Sequence, residues 1–220
     1  MITLHHLNNS RSQRILWMLE ELGLEYEIKL YQRNAKTSLA PDELKHIHPL
    51  GRAPIITDSD IVVAESGAII EYLAHTYAPQ YIPPIGTPQH RQYCYWLHFA
   101  EGSLMTPMLV KMVLGKVKAQ AKPFFVKMVA KKIVDKVMAA YFGPNLATSI
   151  DFVEQHLATN QWFAGDDISG ADFQMSFQLE ALCTRGLVEH CPNIKAYVKR
   201  IHARPAYQQG LKRGGQYDYA

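Results

Sequence analysis

Apolar positions along the first eighty residues change period several times. Residues 1–7 (MITLHHL) read as a short strand. From Ile15 the apolar side chains fall at Ile15, Met18, Leu19 and Leu22, one face of a helix, and Gly23 stands where a helix-ending glycine belongs. Tyr26, Ile28 and Leu30 then alternate with polar residues, the period of a half-buried strand. Pro41 suits the first position of a short helix over residues 41–48. Two β-branched runs flank Asp58, Ser59 and Asp60, a hairpin signal. Ile69, Ile70 and Leu73 repeat at helical spacing within residues 66–77. The predicted order is strand, helix, strand, helix, strand, strand, helix, an α/β domain over residues 1–78.

Four prolines fall in residues 78–88, a stretch without periodicity, and predict a linker over 79–88. Beyond it no strand pattern recurs. Helical spacing predicts segments near 90–115, 123–141, 145–159, 171–187 and 194–204, so residues 89–220 form an all-α domain. Ser169 and Asp172 stand in the S-x-x-D relation of a capping box, a structural device.

Composition narrows the class. Hydrophobic residues at 48% and charged residues at 20% describe a globular chain. No apolar run reaches the roughly 18 residues of a membrane span, and no basic-then-apolar leader precedes the first strand, so a cytoplasmic protein is expected. Cys94, Cys183 and Cys191 are odd in number and lack CxxC spacing, which argues against a disulfide framework and a zinc site. His5, His6, His46 and His48 have no metal-ligand spacing.

Charge is uneven. Residues 1–80 hold 7 Lys and Arg against 10 Asp and Glu, while residues 81–220 hold 16 against 10. Lysines concentrate between Lys111 and Lys136. Lys127 and Lys131, and Lys132 and Lys136, repeat at i,i+4, while Val129, Ile133 and Val137 occupy another face. This predicts an amphipathic helix with a solvated basic side rather than a nucleic-acid or membrane partner.

Five polar residues, Asn8, Asn9, Ser10, Arg11 and Ser12, precede the first helix. Asn and Ser there can simply cap it, because their side chains accept bonds from its free N–H groups. A helix start directly after a strand is also an anion site. Local sequence leaves both open.

The segments HPLGRAPII and AESGAIIEYL resemble the N-x-x-G-[KR]-x-P and E-S-x-A-I motifs of cytosolic glutathione transferases. SGADF at 169–173 is similar to the capping box of their helical domain, and NNSRSQRILWMLEELGL to the first loop and helix of a microbial branch. The resemblance spans nearly the whole chain and is weakest over 111–141. It implies a thioredoxin-like domain (βαβαββα) followed by a helical bundle, and glutathione as co-substrate with no tightly bound cofactor.

A free thiol has a pKa near ~8.5, so the site must favour thiolate. Serine-type members place the active hydroxyl after the first strand with an arginine four positions later. Ser10 and Arg14 match that spacing, with Ser12 and Asn9 as rivals and Arg11 adding positive potential. The chain departs from the tyrosine and cysteine types, since no Tyr precedes Tyr26 and no Cys precedes Cys94. Pro54 matches the family's cis-proline, so the resemblance assigns backbone contacts with glutathione to Ala53. Arg52 suits the glycine carboxylate, Ser66 the γ-glutamyl carboxylate and Glu65 the ammonium; Ser66 is also placed to cap its helix. His48 stands where the family has Asn. The aromatic and Met stripe of Tyr95, Trp96, Phe99, Met105 and Met108 fits helix core better than a second-substrate pocket. The expected protein is a homodimeric transferase acting on small hydrophobic electrophiles. A hydroperoxide reductase using the same site and a non-catalytic binding protein are the rivals.

Overall fold

The computed structural model describes residues 1–220. Its first part is a four-stranded mixed sheet in the order β2-β1-β3-β4. Strand β1 (Ile2–Leu7) runs parallel to β2 (Tyr26–Tyr31) and antiparallel to β3 (Ile55–Asp58), which pairs antiparallel with β4 (Ile61–Ala64). Helix α1 (Ser12–Leu22) makes the crossover that these two parallel strands require. It ends at Gly23, whose φ of 62° closes the last turn with an N–H bond to the Glu20 carbonyl. The hairpin turn falls at Ser59 and Asp60 as expected, and α2 (Ser66–Tyr77) completes this part.

The segment expected as a short helix is instead a 3₁₀ turn, Asp42–His46, in which only Leu44 is buried. Leu44, with Ile47 only partly buried beside it, gives the stretch between Pro41 and Pro49 too small an apolar face to sustain further α-turns.

The second part is entirely helical. Helix α3 (Pro88–Phe99) continues through a π turn, Ala100–Met105, into α4 (Thr106–Gln120), so the segment predicted near 90–115 is longer and interrupted. After Lys122 and Pro123, α5 (Phe124–Val137) passes through a second π turn, Met138–Phe142, into α6 (Gly143–Thr159). Helices α7 (Gly170–Thr184), α8 (Pro192–His202) and α9 (Pro205–Gly214) follow. Helix α9 lies outside the predicted segments. Its glycines conceal a packing role: a Cβ at Gly210 would stand 3.6 Å from the Trp17 backbone, and one at Gly214 only 2.6 Å from Leu16.

A continuous core joins the two parts. Trp17 of α1 lies edge-on to Phe173 of α7 at 4.6 Å and to Tyr207 of α9 at 5.8 Å between ring centres, all three rings being buried. Helix α5 departs from this pattern. Val129 and Ile133, expected to turn inward, are each 57% exposed, and Val134 alone on this helix is buried. Its apolar face meets solvent because α5 packs mainly on α4 and the following π turn, not on the core.

Candidate active site

The loop before β3, the β4–α2 junction, the mouth of α1 and the first π turn converge on a cavity of about 220 Å³. Arg52, Ala53 and Pro54 form one wall, and the Ala53–Pro54 peptide bond is cis. Ala64, Glu65 and Ser66 form the next, with Arg11 and Glu101 opposite. Glu65 has φ 72°, a left-handed conformation costly for a side-chain-bearing residue and typical of positions held for function. Ser66 does not cap α2 as expected. It is the first helical residue, its hydroxyl makes no hydrogen bond within the chain, and it lines the cavity. The start of α2 therefore offers unpaired donors and the positive end of its dipole to whatever enters.

Charges on the opposite wall are organised by Glu101. The Arg11 Nε–H donates to both Glu101 oxygens, at 3.0 and 3.1 Å, and Arg14 Nη2 donates to Oε1 at 2.7 Å. Gln178 Nε2 adds a third donor at 3.2 Å. Burial by itself would raise the Glu101 carboxyl, but Arg14 and Arg11 outweigh it and hold it below its usual value. Arg14 is fully buried, so its role is to brace Glu101 from beneath rather than to meet a ligand. Two guanidinium groups share this carboxylate, which leaves net positive potential beside the cavity.

The mouth of α1 turns inward. Ser10 and Ser12 are 4% and 0% exposed. Ser10 Oγ accepts the Ser12 N–H at 3.1 Å and lies 2.8 Å from Ser12 Oγ. Ser12 Oγ reaches His6 Nδ1 at 3.0 Å and the Leu7 carbonyl at 3.1 Å. Burial pulls the His6 pKa down to about 4, so the imidazole is neutral at pH 7. Asn9, with φ 49°, faces the C-terminal tail: its amide donates to Asp218 Oδ2 at 2.7 Å and accepts the Asp218 N–H at 2.8 Å.

Of the residues singled out in the sequence, Arg11, Arg52, Ala53, Pro54, Glu65 and Ser66 line the cavity together, while Ser10 and Asn9 are not part of its lining. Glu101 was missed. A signal existed, since it is the sole acidic residue between Glu71 and Asp135, in an otherwise aromatic and Met-rich stretch. Of that stretch Trp96, Phe99, Met105 and Met108 are buried, whereas Tyr95 is exposed.

Residues 1–75 match the family model of the glutathione S-transferase N-terminal domain, and residues 118–205 that of the C-terminal domain. The chain belongs to the glutathione S-transferase family. Glutathione S-transferase 3 of Schizosaccharomyces pombe is 37% identical over 209 residues, covering 94% of this chain and 85% of the relative. Glutathione S-transferase 1 of Saccharomyces cerevisiae is 37% identical over 217 residues, covering 94% and 92%. A solved glutathione S-transferase from Actinobacillus pleuropneumoniae superposes with TM-score 0.82 at 34% identity, covering 100% of this chain and 95% of that one. The chain is thus an enzyme of this family, and the thioredoxin-like sheet with its helical bundle is the family fold. The cavity is lined by the N-terminal domain except for Glu101, which comes from the helical part.

Proposed function

We propose that this chain is a serine-type glutathione transferase that binds glutathione in the 220 Å³ cavity and presents its thiolate to small hydrophobic electrophiles. The supporting observation is the order of charges around that cavity. Glutathione carries a carboxylate and an ammonium at one end, a thiol in the middle and a carboxylate at the other. The start of α2 at Ser66 suits the γ-glutamyl carboxylate, with Glu65 accepting the ammonium. Ala53 pairs its backbone with the cysteinyl part, and Arg52 meets the glycine carboxylate with two parallel donors.

The sulfur then points toward the mouth of α1. Lowering its pKa by about two units requires the site to favour thiolate by roughly 2.7 kcal/mol. A rotated Ser10 hydroxyl, the start of α1 and the positive potential of Arg11 are each of the right size to share that task. The thiol proton leaves to solvent, the sulfur lone pair forms the new S–C bond, and the displaced electron pair goes to the departing halide, to the oxygen of an opened epoxide or to the nitrogen of an isothiocyanate, the last two taking a proton from solvent. The family resemblance and the opposite charge of the two halves favour a homodimer.

Retention on immobilised glutathione, eluted by free glutathione, tests the binding half, and conjugation to a panel of halides, epoxides and isothiocyanates tests the chemistry. Ser66→Ala should raise the glutathione KM with kcat little changed, because its contact exists before and during reaction. Equal glutathione affinity in this variant and the parent would remove Ser66 from the site.

A further inference from the structure

The six residues after α9 run back along α7 to the mouth of α1. Gly215, at φ 80°, turns the chain off the helix. Tyr217 then donates to the buried carboxylate of Glu180 on α7 at 2.5 Å. The Tyr219 carbonyl accepts from the Thr184 hydroxyl at 3.3 Å, and the Tyr219 ring stands edge-on to Phe177 at 5.4 Å. Phe177 in turn carries the Arg11 and Arg14 guanidinium groups over its ring, at 5.8 and 5.7 Å from its centre. The segment is therefore tied down at two tyrosines beside the cations of the site.

Asp218 lies between those two tyrosines and is itself exposed. Its partner stands 209 residues earlier in the chain: the Asn9 amide donates to Oδ2 and accepts the Asp218 N–H, as described above. Gln216 Nε2 donates to Oδ1 at 2.9 Å, which orients the carboxylate. On the other side of the same turn, Arg33 donates through its side chain to the Asn8 and Asn9 carbonyls, each at 3.2 Å, and through its N–H to Asn8 Oδ1 at 2.9 Å. The turn that carries Ser10 is thus clamped between a cation and an anion. Asn9, at φ 49°, is where it would relax first. Asn reaches the left-handed region more readily than most residues, and it stays there when its surroundings fix it.

We propose that Asp218 is a positioning residue for the thiolate, holding Asn9 in its left-handed conformation and so fixing where the Ser10 hydroxyl stands. Both ends of the Asn9 amide face Asp218, so Asn9 acts on the sulfur through the turn rather than by contact. A donor aimed at an anion loses its effect with small displacements, which is why its supporting turn must be held in advance. That the held hydroxyl serves a glutathione thiolate rests on the proposed function; that Asp218 holds the turn does not.

Hydrogen exchange of the backbone amides of residues 8–13 reads the turn without any ligand. Asp218→Ala should speed exchange there by about five-fold, the effect of one lost hydrogen bond, while amides of residues 170–184 keep the parent's rates. In steady state the same variant should lower kcat by about five-fold at unchanged glutathione KM and raise the pKa of the bound thiol. Asp218→Asn keeps an acceptor and should recover most of the loss. With Asn9→Ala already present, Asp218→Ala should add nothing, because the pair acts as one unit. Exchange like the parent's in Asp218→Ala overturns the proposal, and so does faster exchange with kcat and thiol pKa unchanged. A raised glutathione KM at unchanged kcat also overturns it, by moving Asp218 into the glutathione site. A parent that neither binds nor turns over glutathione would overturn the proposed function instead, and exchange alone would then decide whether Asp218 holds the turn.

Discussion

Helices α1 and α7 both begin at a serine-bearing polar cluster, yet the two clusters are wired differently. At α7, Asp172 is fully buried and accepts from the Ser169 N–H at 2.8 Å, the Ser169 hydroxyl at 3.0 Å, the Phe163 N–H at 3.0 Å and the Tyr197 hydroxyl at 3.0 Å. Burial raises its pKa to about 6, with the hydrogen bonds from Phe163, Ser169 and Tyr197 opposing the shift. The cluster is closed, and every donor in it has an acceptor inside the protein.

At α1 the N-cap is Arg11, whose side chain makes no capping bond and reaches across to Glu101 instead. Ser10 and Ser12 bond to each other and to a neutral His6, beside a cavity that holds further unpaired donors. A polar cluster whose donors and acceptors cancel is structural. One that leaves positive potential beside a cavity, as at α1, is suited to meet an anion.

The sharpest break of this contrast is Asp172→Ala. It strands four donors in the interior, so stability should fall by about 3 kcal/mol or more, read by chemical denaturation. Kinetic constants per folded molecule should stay near those of the parent. Collapsed activity at unchanged stability would put Asp172 in the working site and erase the distinction between the clusters.

The buried imidazole at the other helix gives the next effect. In the folded chain His6 holds its proton only below about pH 4, whereas unfolded it does so below 6.5. Between those values the unfolded state binds the proton and the folded state does not, so stability falls as pH falls through that window. The contribution lost is at most about 3 kcal/mol. Urea titrations across the window should show the slope, and His6→Gln should flatten it. A parent and variant with the same pH slope would mean that His6 ionises normally in place.

Ser10→Ala gives the smallest energy and the most informative one. Loss of a charge-assisted bond to sulfur costs roughly 1.5–3 kcal/mol, which raises the bound thiol's pKa by about one to two units. Thiolate absorbance of the glutathione complex, titrated against pH, reads this directly, with Ser12→Ala as the control. A shift in Ser12→Ala alone would move the role to that residue, and no shift in either would make the α1 cluster as structural as the one at α7.

Periodicity made most of the architecture legible, because strands and helices that bury one face must repeat at two or at 3.6 residues. It gave β1, α1, β2, the β3–β4 hairpin and α2, and it separated the α/β part from the helical part. It failed at α9, where Gly210 and Gly214 look like helix breakers but serve close packing on α1. It also failed at α5, where a stripe fit for a core faces solvent. Amphipathicity records that a face is apolar and says nothing of what covers it.

The site divides along the same line. Arg52 to Pro54 and Glu65 to Ser66 lie in two short motifs, so their chemistry could be read from residue types and family resemblance. Glu101 enters only because α3 passes through a π turn that aims it across at Arg11, and Ser10 is buried against Ser12, which is itself held by His6. Local sequence determines which groups a turn or helix start can offer, since those choices depend on neighbours a few residues away. Which of those groups is satisfied from within and which is left for a ligand depends on partners as distant as Glu101 and Asp218, and only the packed chain brings these together.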